Sequence, residues 1–315
     1  MFSHRWQNPH TPAPMFASLL TTLFFSFSAI FGRQVSRHLP GTMANLSRLI
    51  LCSILFGIWS HLFGFGISGK AFPILFLSGC VGFGVGDLAL FQTYPRLGSR
   101  RSMVMVQCLA APLGALMEWL WLGHAPTFGQ AVCGAAILAG VGVALMPGKG
   151  EDQPTHGLTA GIFFGFLAAV GQAGGAVLSR KAFKVAADAG EAFHGVGDGV
   201  NAAYQRMLGG LLVSAIFFVW LKLAHKPLDG GRKADWPKAW PWLIGNSLAG
   251  PCFGVACYQW ALMSSPTNIV LPIVATTPLA VIPLAHFFEK ERVTKRAIFG
   301  GVIAVAGVIG LTLLK

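Results

Sequence analysis

PLGALMEWLWLGHAPTFGQAVCGAAILAGVGVAL, Pro112 to Leu145, and PLAVIPLAHFFEKERVTKRAIFGGVIAVAGVIGLTL, Pro278 to Leu313, are one pattern written twice. Each opens on Pro-Leu, crosses an apolar stretch to a polar turn, and closes on a second apolar stretch punctuated by glycine. Gly134 and Gly140 in the first match Gly301 and Gly307 in the second, six residues apart in both. Upstream, Phe24-Phe25-Ser26-Phe27 echoes Phe163-Phe164-Gly165-Phe166, Arg48 is answered by Arg206, and Gln92 by Gln259. Apolar composition alone does not generate that ordered series of Pro, Gly, Arg and Gln. The chain reads as a duplication.

Composition says what was duplicated. Of 315 residues, 54% are hydrophobic and 11% charged, against roughly 25% charged in soluble domains. The charges cluster between apolar runs that approach the ~20 residues a helix needs to cross a bilayer. Spans are predicted at about 15–33, 43–65, 71–94, 102–122 and 126–146, then at about 157–179, 200–222, 240–262, 266–288 and 296–314, with ends uncertain by ~2–4 residues. Residues 1–14 form a polar tail, 15–146 the first five-helix repeat, and 157–315 the second. Between them the charged, Gly/Pro-rich segment 147–156 is a linker. Five is odd, so the second repeat enters the membrane from the opposite side. The expected fold is an all-α integral membrane protein of ten transmembrane helices in two inverted five-helix repeats.

The net charge of +12 points away from nucleic acid here. The bases sit mostly in short loops, where Lys and Arg set topology and meet anionic lipid, and no basic groove interleaved with aromatic residues is present. The six cysteines all lie in apolar runs without C-x-x-C spacing, and the nine histidines are scattered. No disulfide framework, metal site or cofactor is expected. Asn45-Leu46-Ser47 matches a glycosylation sequon, but it opens an apolar segment and is read as chance. The bilayer is the expected partner, and nothing in the sequence specifies a homodimer.

Ionisable groups inside spans are few. Asp87 and Glu118 are the acids well inside, Arg48 and Arg206 the bases. A central charge costs about 2.5–3.5 kcal/mol on insertion scales, so each should face the bundle interior and find a partner. Asp87, in GFGVGDLALFQ, lies about 12 Å inward from the RLGSRR segment, near mid-depth of a ~30 Å core. It suits a solute amine or a coupling proton, or a structural pair with Arg48 or Arg206. Glu118, close to the GHAP turn and flanked by Trp119 and Trp121, reads as interfacial. Arg48 and Arg206 repeat at one place in each half, which suits a scaffold role or bidentate binding of a carboxylate. Gln92, Gln107, Gln172, Asn246, Tyr258 and Gln259 supply uncharged donors and acceptors for a polar cavity or for helix–helix contacts. Pro112, Pro272, Pro278 and Pro283 interrupt spans 4 and 9, which places those spans beside a central pathway. Glycines four apart (Gly82 and Gly86, Gly161 and Gly165, Gly171 and Gly175, Gly250 and Gly254) predict close helix packing.

An Arg in spans 2 and 7 (Arg48, Arg206), a Pro in spans 4 and 9 (Pro112, Pro278), the helix end that follows, and a Gly-patterned final span resemble the drug/metabolite transporter superfamily, in its ten-span EamA-like branch. The resemblance spans roughly residues 16–314. It departs where the first repeat has His124 in place of the usual Glu; the second keeps Glu289 and Glu291. The four-span multidrug branch fits less well, since spans 1 and 6 hold no acid. Phosphorylated-sugar carriers also fit less well, since span 9 holds no Lys. The resemblance implies a secondary transporter that exports or exchanges a small organic metabolite, an amino acid or drug-like solute, by alternating access, with proton coupling as a subsidiary expectation. It implies the cytoplasmic membrane of a bacterium and cytoplasmic termini. The charge bias of the loops instead places both termini outside. Two other classes stay open: an intramembrane enzyme, for which H-E-x-x-H, paired catalytic acids and G-x-S-x-G are all missing, and a receptor or scaffold that does not transport.

Overall fold

A computed structural model describes residues 12–122, 127–145, 157–193, 195–225, 233–265, 267–290 and 294–314. Among them the chain is helical, without a strand. The first half contains α1 (Pro12–His38), α2 (Gly41–Phe63), α3 (Phe72–Gly79), α4 (Asp87–Met103), α5 (Leu109–Leu122) and α6 (Phe128–Leu145). The second contains α7 (Leu158–Asp188), α8 (Val196–Leu223), α9 (Trp236–Ser247), α10 (Val255–Ser264), α11 (Thr267–Val274), α12 (Thr277–Glu289) and α13 (Lys295–Leu313). Three π-helical segments join neighbours without interrupting the run: Cys80–Gly86, Val104–Cys108 and Leu248–Gly254. The linker 147–156, His124 and Glu291 lie outside the described residues, as does most of the 1–14 tail.

Among the described residues, five stretches are long and apolar enough to cross a bilayer: Met15–His38, Gly41–Phe63, Phe72–Met117, Leu158–Asp188 and Val196–Leu223. Phe72–Met117 has 46 residues, roughly 69 Å if straight and more than twice a ~30 Å hydrocarbon core. It does not run straight. Gly98 adopts φ 79° and ψ 172° inside α4, a left-handed φ that favours glycine. Leu90 before it and Val106 after it line the same cavity, although a straight helix would hold them about 24 Å apart. The chain doubles back at Gly98. The RLGSRR segment is therefore no exposed loop: Arg100 is 1% and Arg101 5% exposed, and Arg96 donates to the Gln92 carbonyl and, at 2.9 Å, to its Oε1. Helix also extends past the sixth predicted span, because α7 runs to Asp188, and α8 starts at Val196.

Glycine sets the distance between the halves. A Cβ on Gly171 of α7 would stand 2.5 Å from Gly86 Cα, and one on Gly175 would stand 3.4 Å from Gly82 Cα. The four-residue spacings on the two sides thus face each other, backbone on backbone, where van der Waals contact rather than apolar burial holds helices together. Against α8 the approach is closer: a Cβ on Gly209 would fall 2.0 Å from the Phe76 carbonyl, and one on Gly79 would fall 1.8 Å from that of Arg206.

Equivalent contacts relate the halves. A Cβ on Gly82 would meet Arg206 Nη2 at 2.9 Å, and one on Gly250 would meet Arg48 Nη1 at 3.7 Å. Each half's arginine lies beside the other half's π segment. At the far end, a Cβ on Gly140 would meet Ala304 N at 2.4 Å, and one on Gly307 would meet Ile137 N at 3.1 Å. Gly86 lies against the Gly171 backbone, whereas Gly254 lies against the Phe25 ring. Gly134 has no neighbour within 4 Å of a built Cβ.

Gly209→Ala should destabilise the protein by about 1–3 kcal/mol, although alanine favours a helix by about 0.8–1 kcal/mol. Gly142→Ala, where a Cβ meets nothing within 4 Å, should leave the melting temperature unchanged or raised. Detergent-solubilised melting curves decide it; equal curves would reject the seam.

Candidate functional site

The interior holds a cavity of about 60 Å³, room for roughly four to six water molecules. From the first half come Phe25 and Ser28 of α1, Arg48 of α2, Gly82, Phe83 and Gly86 of the first π segment, Asp87, Leu90, Tyr94 and Met103 of α4, and Val106 and Gln107 of the second π segment. From the second come Ala168 and Gln172 of α7, Arg206 of α8, Gly250 and Pro251 of the third π segment, and Val255 and Tyr258 of α10. All three π segments border it. A π turn widens the helix and opens its backbone, and such turns gather at functional sites.

One side of the cavity is a hydrogen-bonded network centred on Arg48. Its Nη2 donates to Asp87 Oδ2, its Nε to Asn45 Oδ1 at 3.0 Å, and its Nη1 to Asn246 Oδ1 at 3.5 Å. The guanidinium also stands over the Phe91 ring, 4.7 Å from the centroid. Asn246 Nδ2 donates to the carbonyl and hydroxyl of Ser28, at 2.7 and 3.0 Å. Asn45 Nδ2 donates to the Phe83 carbonyl at 3.2 Å and to Ser214 Oγ at 2.9 Å. The network joins α1, α2, α4, α8 and α9. Asp87 is paired with Arg48, one of the two partners the sequence offered, and interacts electrostatically with Arg206 as well.

The other side is less satisfied. Arg206 is 4% exposed, lies over the Phe83 ring at 5.2 Å, and its Nε has no hydrogen-bond partner. Tyr258, 1% exposed, has an unpartnered Oη, and Gln172 an unpartnered Nε2. A buried polar group without a partner costs about 1–3 kcal/mol, and these three belong to side chains that line the same cavity.

The structure brings together six of the ten residues singled out from sequence, Arg48, Asp87, Gln107, Gln172, Arg206 and Tyr258, at the cavity wall. Asn246 stands behind them in the network. Gln92 does not line the cavity: its amide oxygen accepts from Arg96, one turn on. Gln259 does not line it either; it is fully buried and neither amide atom has a partner. Glu118 sits on α5, and its side chain lies outside the described residues. Span 9, expected beside the pathway for its prolines, contributes nothing to the wall. The π segments take that place, one of them carrying Pro251 to the wall. Sequence reasoning missed Ser28, Asn45 and Phe83. The i,i+3 spacing of Asn45 and Arg48 on one helix face was the available signal, and the sequon reading obscured it; Asn45 is fully buried.

Comparisons with known proteins place this geometry. A family model described as the EamA-like transporter family matches residues 13–146 and again 159–313. No curated protein matches the chain. A solved structure described as "Crystal structure of protein" aligns with a TM-score of 0.63 at 16% identity, covering 96% of each chain, a likeness that shows the fold alone.

Arg48→Gln should cost up to about 3–5 kcal/mol, because it leaves a partly buried carboxylate, 19% exposed, without its nearest cation. The double variant Arg48→Gln/Asp87→Asn should recover most of that loss in detergent melting. A double variant no more stable than the single one would show that the pair is not the coupled unit.

Proposed function

This chain belongs to the EamA-like transporter family, and from that premise we propose that it is a secondary transporter. It moves a small organic metabolite, an amino acid or drug-like solute, by alternating access of its two halves. The observation that carries this reading is the shared cavity: both halves contribute walls, and both contribute an arginine. A solute held between two similar halves is exposed to one side or the other as they rock.

In this reading the helices make ten crossings. The doubling back at Gly98 makes two of the run from α3 to α5, the π-joined α9 and α10 make one, and α11 with α12 makes another. The repeats occupy 15–146 and 157–315, entering the membrane from opposite sides, and the paired contacts of Arg48 with Gly250 and Arg206 with Gly82 support that relation. The protein works in the cytoplasmic membrane of a bacterial cell.

Asp87 is the coupling carboxylate. Ionised, it holds Arg48. A proton on Asp87 removes the negative charge and leaves that guanidinium to Asn45 and Asn246, loosening the tie between α2 and α4. Proton binding thereby shifts a packed element of one half, the kind of differential contact an alternating equilibrium requires.

Purified protein in liposomes, tested with a panel of amino acids, small carboxylic acids and cationic drugs, should show flux that responds to an imposed proton gradient. Asp87→Asn protein that remains folded by its melting curve should still exchange solute and lose at least tenfold in gradient response. Unchanged gradient response in Asp87→Asn rejects the coupling role; no flux of any solute in the panel rejects transport by this cavity.

A further inference from the structure

The charges at the cavity wall do not balance. Arg48, Asp87 and Arg206 are the Asp, Glu, Lys and Arg residues among the lining side chains, and the Arg48–Asp87 pair accounts for one cation and the anion. Arg206 remains. Its backbone is fixed, since Gly79 lies against its carbonyl, and Gly82 and Gly175 each approach its Nη2 to 2.9 Å of a built Cβ. The guanidinium is therefore held in a glycine cradle and cannot swing out to water. Its Nε, the Tyr258 hydroxyl and the Gln172 amide nitrogen have no protein partner, and all three side chains line one cavity. A solute amine would meet donors and a net positive charge, while its one acidic partner is already engaged.

The geometry points to a carboxylate receptor: Arg206, Tyr258 and Gln172 bind the carboxylate of a small organic acid, whose apolar remainder packs on Phe83, Val106 and Val255. Guanidinium and carboxylate are matched in charge and planar shape, and the anion supplies the acceptors that the three donors lack. The cavity of about 60 Å³ limits the solute to a short chain in this state. The inference rests on the reading of this cavity as the solute site, and it deepens that reading by naming the group recognised.

Three probes of one shape and different head group test it: isovalerate, isovaleramide and isopentylamine. Calorimetric titration into the full-length protein in nanodiscs should show isovalerate binding at least tenfold tighter than the amide, with no binding of the amine. Tyr258→Phe, which deletes a hydroxyl that has no protein partner, should keep the wild-type melting temperature and weaken isovalerate several-fold. Arg206→Gln should abolish the preference for acid over amide, provided its melting curve shows a folded protein; Tyr258→Phe carries the test if it does not. Equal or tighter binding of the amide or amine, an unchanged affinity in Tyr258→Phe, or no binding by any of the three overturns the proposal. Flux of isovalerate in liposomes is read separately. Carboxylate-selective binding without flux upholds the receptor and rejects transport. Flux of other solutes without carboxylate preference rejects the receptor and leaves transport standing.

Discussion

A permanently charged guanidinium cannot be left unpaired in a low-dielectric interior, and Arg48 shows how much structure follows from that constraint. Its three nitrogens reach Asp87, Asn45 and Asn246, and the two asparagines spend their remaining capacity on Ser28, Ser214 and the Phe83 carbonyl. Five helices are thereby held in register by one charge. Removing a partner would leave the rest buried and unsatisfied, a cost of several kcal/mol per charged group. The same network forms one wall of the cavity, so the charge that ties the helices together also shapes the cavity.

Arg206 occupies the corresponding place in the second half with a different outcome. The residue after the first π segment is Asp87, and the residue after the third is Val255. One half therefore neutralises its neighbouring arginine and the other does not. The cavity wall thus carries two arginines and one carboxylate. Glycine makes the arrangement possible, because α7 and α8 approach the first π segment more closely than any Cβ would allow, which carries Arg206 to the cavity wall.

Much of this was legible in the sequence. Charge scarcity and apolar run length gave the membrane helices, and the helices observed lie within a few residues of most predicted ends. The glycines four residues apart are where the halves touch. Legibility failed where a residue's environment depends on distant chain. Gln92 looked like a cavity residue but is taken by Arg96 a turn away, and the prolines of span 9 marked an irregular helix rather than a pathway. A proline signals lost backbone hydrogen bonds locally; it carries no information about what faces the gap.

The sequence by itself determined that the chain is helical, apolar and duplicated, because helix period, hydropathy and repeat spacing are properties of neighbouring residues. It also supplied the few buried charges. Which charge meets which was decided only by the tertiary structure. Arg48 and Asp87 are 39 residues apart, and Arg206 comes to Phe83 from the other half. Pairing across such separations depends on helices returning to one another and on backbones close enough to exclude side chains, and both arise from the packing of whole helices.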